Sequence, residues 1–128
     1  MDNKWKNKSF IDSVKNAFNG IKYIFKNERN FKIQIVIAII VVIIGFLLKL
    51  ENIEFAIIIL VIFLVWILEF INSAIEIVID MYTEEYNEKA KIAKDIAAGT
   101  VTITAVLSVI IGIVIFLPKI INLVIVII

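Results

Sequence analysis

Three stretches of this chain are each long and apolar enough to cross a bilayer as a helix, and this constrains the fold more than any other feature. Phe31–Leu50 carries only Lys32, Gln34 and Lys49 as strongly polar side chains, all near its ends. Phe55–Leu68 is unbroken, and the helix it starts runs on to about Tyr82. Ile96–Leu117 has no charge but many small residues. Each meets the span requirement of about 20 residues. At 62% hydrophobic, the chain exceeds the roughly half-apolar usage of soluble domains. The expected fold class is an all-α integral membrane protein. Residues 1–128 form one domain with spans at about 31–50, 54–82 and 95–117.

There is no cysteine and no histidine. That removes disulfides, thiol nucleophiles, zinc sites and imidazole bases, leaving carboxylates, Lys and Tyr for any acid–base work. Residues 1–32 hold eight Lys/Arg against Asp2, Asp12 and Glu28. Beside a span, that cluster reads as a topology signal that keeps the N-terminus cytoplasmic, and not as a nucleic-acid site. No small-residue cleavage site follows the first apolar run, so it reads as a span and not as a leader. The turn near Lys49–Glu54 then faces outside. The loop 83–95, with Lys89, Lys91 and Lys94, faces inside.

Residues 9–26 read as a helix lying on the membrane, with Ser9 as its N-cap. Phe10, Val14, Ala17, Phe18, Ile21, Ile24 and Phe25 share one face, and Lys15, Asn19, Lys22 and Lys26 lie opposite. Pro118 is expected to end the third span, leaving an apolar tail at 119–128 too short to cross. Ala97, Ala98, Val101, Ala105, Ser108 and Gly112 form a small-residue face suited to close helix packing. Three spans make a thin core, so the chain is expected to oligomerise.

The second span ends in polar residues. At about 100° per residue, Asn72, Ser73, Glu76 and Asp80 all fall within about 60° of Glu69. Glu69 and Glu76 lie about 10 Å apart along the axis, so Glu69 is the deepest charge and Glu76 and Asp80 approach the interface. Charges within a span are expensive and are functional by default. A carboxylate below the interface suits a general base facing a lipid headgroup, and one near the surface suits Mg²⁺. The structural alternative is that these groups cap, pair or line a seam between subunits, with Asp80 as a helix-end anchor. Lys94-Asp95 is expected to open the third span, where a cation and helix-start amides can meet phosphate. No Walker loop or protein-kinase signature occurs.

Glu69-x-x-Asn72-Ser73-Ala74-Ile75-Glu76-x-x-Ile79-Asp80, followed by Ala90-Lys91-Ile92-Ala93-Lys94-Asp95-Ile96-Ala97-Ala98-Gly99, resembles the prokaryotic diacylglycerol kinase family. Glu28-Arg29-Asn30-Phe31 and Ser13-x-x-x-Ala17-Phe18-x-Gly20 match the same family, over roughly residues 8–119. Within it, Glu-Arg-Asn-Phe at 28–31, Ala-Lys-Ile-Ala-Lys-Asp at 90–95 and Phe-Leu-Pro-Lys at 116–119 look closest to the undecaprenol kinases of Gram-positive bacteria.

The resemblance implies a homotrimer of three-span protomers with a surface helix, in a bacterial cell membrane, with active sites shared between neighbours on the cytoplasmic side. It implies phosphoryl transfer from ATP, with Mg²⁺, to a membrane lipid alcohol. That alcohol is undecaprenol, or alternatively diacylglycerol. Carried over by position, Glu69 is the general base, Glu28 and Glu76 hold Mg²⁺ on the ATP phosphates, and Asn72 supports the reacting groups. Glu85, Tyr86, Asn87, Lys94 and Asp95 belong to the nucleotide site, with Lys94 facing phosphate. Asn87 and Gln34 stand where the family commonly has His, and the apolar residues after Lys119 pass the usual chain end. None of these departures is expected to touch the carboxylates or the Lys-Asp pair.

The rival from another class is a small oligomeric channel or proton pathway lined by Glu69, Glu76 and Asp80. Conduction needs polar groups through the whole bilayer depth, and here the charges gather at one side. A purely structural membrane subunit leaves the deep Glu69 unexplained.

Overall fold

The computed structural model describes residues 9–127. They form four helices: α1 (Phe10–Asn27), α2 (Arg29–Leu47), α3 (Asn52–Tyr82) and α4 (Glu88–Ile127). The last three are long and apolar enough to cross a membrane, so the chain is a multi-pass membrane protein. Most of their large aliphatic side chains are exposed, as spans facing lipid or other helices require.

Helix α1 starts as its sequence predicts. The Ser9 side chain accepts from the Asp12 amide at 3.2 Å, satisfying one of the orphan donors of the first turn. Phe10, Phe18 and Phe25 are all exposed, and Ile24 alone of α1 is buried. Helix α2 follows after the single extended residue Glu28.

Helix α2 covers 29–47, where a span of about 31–50 is expected. Lys49 stops it by adopting a left-handed conformation (φ 53°). The Leu50 amide then reaches the Gly45 carbonyl at 3.0 Å and the Lys49 amide reaches Phe46 at 3.2 Å. This is a Schellman closure. It turns Leu50 inward, where it packs with Ile58 and Ile115 in the apolar core at the α2–α3 turn. Gly45 makes that fold-back possible: an added Cβ would stand 3.0 Å from both Leu50 Cδ1 and Phe55 Cε1. Helix α3 begins two residues earlier than expected, and the Glu51 amide donates to the Glu54 carboxylate at 2.7 Å.

The expected third span of 95–117 differs at both ends. Helix α4 starts at Glu88, capped by Asn87, whose side-chain oxygen accepts from the Ala90 amide at 3.1 Å. Pro118 does not end it but lies inside it, and residues 119–127 continue the helix. Proline deletes one backbone bond, to Val114. Unwinding the following apolar residues would strand many more polar groups in an apolar setting. Lys119 adds a tether, pairing with Glu54 of α3 at 3.0 Å, with both side chains about one-quarter exposed.

Helices α3 and α4 make the most extensive contact in the chain, and α2 and α1 add smaller ones. On α4, Ala97, Thr104 and Ile115 are buried. Val101, Ala105, Ser108 and Gly112 are half-buried beside them. Ala98 departs from the expected small-residue face and is exposed, and Thr104 takes a buried place. The Thr104 hydroxyl is satisfied within the helix by the Thr100 carbonyl at 2.8 Å.

Candidate functional site

The polar face of α3 is graded in depth. Glu69 is 4% exposed and Ser73 2%. Asn72 and Glu76 are half-buried, and Asp80 is exposed. A 3.6-residue period sets this series on one face, and burial by α2 and α4 falls off toward the end of the helix.

Helix α2 is locked against the deep end by aromatic rings. Phe31 packs edge-on against Phe70, with centroids 5.0 Å apart, and against Trp66 at 5.6 Å. One turn further along α2, Gln34 Nε2 donates to Glu69 Oε2 at 3.1 Å. The expectation that Gln34 does not touch the carboxylates is therefore corrected: it bonds Glu69 directly. The signal was a polar residue one turn into an otherwise apolar helix, but its partner depends on the register between helices.

Asn72 Nδ2 donates to Glu76 Oε1 at 3.1 Å, one turn apart on α3. Among the described residues, three polar side-chain atoms are buried without a partner: Gln34 Oε1, Asn72 Oδ1 and Ser73 Oγ. Such orphans are rare in purely structural positions.

Glu28 caps the backbone junction of α1 and α2 and is half-buried, with its amide bonded to the Ile24 carbonyl at 2.8 Å. Moving from Gln34 back to Glu28 and equally far along antiparallel α3 from Glu69 reaches Ile75, next to Glu76. Among the described residues, no group of three or more acidic side chains is gathered as a metal cage. Mg²⁺ needs no such cage, since it takes one or two carboxylates and completes its shell with phosphates and water. Glu28 and Glu76 fit that donor set, with one Glu76 oxygen fixed by Asn72.

Glu85, Tyr86, Asn87 and Lys94 line one cleft of about 490 Å³ at the α3–α4 junction, together with Asp80 and Lys91. The junction is shaped by Thr83, whose hydroxyl accepts the Glu85 amide at 3.1 Å. Four of the expected nucleotide residues are thus together, while Glu28, Glu76 and Asp95 do not line this cleft.

Lys94 and Asp95 do not open the span, because α4 starts at Glu88 and both lie within its second turn. Nor do they pair with each other: Lys94 meets Asp80 of α3, and Asp95 meets Lys91 at 2.6 Å. Asp80 is therefore a direct neighbour of the expected phosphate-facing cation.

A second groove, of about 390 Å³, lies between α2, α3 and α4. Gln34 is among its few polar residues; Ala38, Val61, Trp66, Gly112 and Phe116 are among the rest. An apolar groove, a buried carboxylate and a polar cleft thus follow one another along α3.

Residues 15–116, most of the chain, match the family model described as prokaryotic diacylglycerol kinase. No individual curated protein matches the chain.

Proposed function

We propose, from the premise that this chain belongs to the prokaryotic diacylglycerol kinase family and is a lipid kinase that transfers phosphate to an alcohol, that its acceptor is undecaprenol and its donor is ATP. The observation that carries the proposal is the graded face of α3. It sets a buried carboxylate, Glu69, between an apolar groove and a polar cleft containing Lys94. A lipid chain needs the first surroundings and a nucleotide the second, and the reacting atoms must meet between them.

The lipid hydroxyl stands next to Glu69. Its oxygen attacks the γ-phosphorus of ATP as its proton passes to the Glu69 carboxylate. The bond to the β–γ bridging oxygen breaks, and ADP leaves with that oxygen. Lys94 offsets charge on the phosphates, and Glu85, Tyr86 and Asn87 line the nucleotide's side of the cleft. Asp95 steadies this end of α4 through Lys91. Asn72 holds Glu76 in place. Glu28 and Glu76 would hold Mg²⁺, which when bound supplies neutralising charge to the phosphates. Phosphoryl transfer asks little covalent work of a protein, so positioning and charge carry the rate.

The protomers assemble as a homotrimer in the bacterial cell membrane, with sites shared between neighbours. The thin core and the exposed apolar surfaces of α2–α4 support this. The N-terminus and the site face the cytoplasm, by the basic residues before α2 and in the α3–α4 junction. Helix α1 lies at the interface, with Phe10, Phe18 and Phe25 toward lipid.

The test is transfer of labelled phosphate from Mg-ATP by purified protein in mixed micelles, with undecaprenol and diacylglycerol offered separately. Preference for undecaprenol is expected. Preference for diacylglycerol would assign the chain to phospholipid turnover. Labelling of neither lipid by folded protein would refute both acceptors. Glu69→Gln is expected to abolish transfer while leaving assembly intact.

A further inference from the structure

We propose that Gln34 is a positioning residue for the transfer. Its amide N–H fixes one oxygen of Glu69 and leaves the other turned to the acceptor hydroxyl. The proposal rests on the reading of Glu69 as the base.

Three observations carry it. Gln34 Nε2 lies 3.1 Å from Glu69 Oε2, and among the described residues this is the side-chain hydrogen bond that Glu69 accepts. Gln34 also lines the apolar groove, so the same side chain touches the space for the lipid chain and the group that would take the lipid's proton. Finally, Phe31, itself 4% exposed, wedges against Phe70 and Trp66 one turn away, so α2 cannot slide and carry Gln34 off its partner.

The chemistry favours an amide here. The carboxylate changes charge in each turnover. A Lys or Arg donor would form an ion pair opposing protonation of Glu69, because it favours the charged carboxylate. A neutral N–H holds Oε2 before and after the proton arrives on Oε1. The amide's orientation is fixed too: reversed, it would set its carbonyl against the carboxylate. In the orientation observed, Gln34 Oε1 is a buried acceptor without a partner among the described residues. A side chain retained only for stability is not expected to leave half of its amide unsatisfied.

The experiment compares Gln34→Leu, Gln34→Asn and Gln34→His in the full-length protein. kcat, KM for ATP and KM for the lipid are read separately, together with melting temperature and oligomeric state. Leu removes the donor, Asn withdraws it by one methylene, and His restores an N–H at similar reach. Leu and Asn are expected to lower kcat by about 10- to 100-fold, the range a misplacement near 1 Å produces, with KM for ATP changed less than about two-fold. His is expected to recover most of the rate. Unchanged kcat in the Leu and Asn variants overturns the proposal. So does a loss that tracks melting temperature in all three. Should Leu fail to fold, Asn against His still decides. Glu69→Gln separates this from the underlying reading: if that variant turns over, the base assignment falls whatever Gln34 does. If it is dead while the Gln34 variants are fully active, only the positioning role falls.

Discussion

Lys94 of α4 is held by Asp80 of α3 across the junction that closes the polar cleft. The pair joins the last turns of one span to the start of the next. It also occupies the ammonium that the functional reading aims at phosphate.

Asp80→Asn is therefore expected to lower KM for ATP. Both side chains are substantially exposed, so the pair contributes only about 0–1 kcal/mol. Freeing Lys94 can improve nucleotide affinity by no more than about five-fold, with little change in melting temperature. The gain should shrink as salt is raised. Steady-state kinetics at two ionic strengths checks this. A rise in KM would mean that Asp80 presents Lys94 to the nucleotide and does not compete for it.

Lys49→Gly is expected to stabilise the protein. Lys49 closes α2 with φ of 53°, a region where a side chain meets steric cost and glycine does not. The gain should be about 1 kcal/mol, read as slower thermal inactivation in micelles with kcat unchanged, since the turn lies far from Glu69.

Features set by local physics are legible in this sequence, and those set by contacts between helices are not. The α3 face was legible because Glu69, Asn72, Ser73, Glu76 and Asp80 obey one helical period, and the Ser9 cap because it acts three residues away. The end of α2 was not, since neither Gly nor Asn marks the left-handed residue. Pro118 misled because its rule is one of aqueous helices, where water takes up the freed carbonyl and the unwound chain. The partner of Gln34 is not legible in the sequence, because its bond to Glu69 exists only once Phe31 sets the register of α2 on α3.

Asn87→Ala is expected to cost about 1 kcal/mol, by removing the acceptor of the Ala90 amide at the start of α4. The same residue lines the cleft, so two effects must be told apart. If capping is its main role, Asn87→Asp keeps the wild-type melting temperature and Asn87→Ala does not. If nucleotide contact dominates, KM for ATP rises in the Ala variant at temperatures well below its melting.

Glu76→Gln tests the metal reading most directly. The substitution keeps shape, and its side-chain oxygen can still accept from Asn72 Nδ2, which bonds Glu76 at 3.1 Å. What it removes is a charge, and Mg²⁺ is held by few protein carboxylates, so each counts heavily. The Mg²⁺ concentration for half-maximal rate should rise at least about ten-fold, equivalent to about 1.4 kcal/mol. Oligomeric state and melting temperature should hold. Glu28→Gln should act in the same direction, as the second carboxylate proposed to hold the metal. If both variants keep the wild-type Mg²⁺ dependence, these carboxylates do not hold the metal, and Asp80, the exposed acid on that face of α3, becomes the next group to substitute.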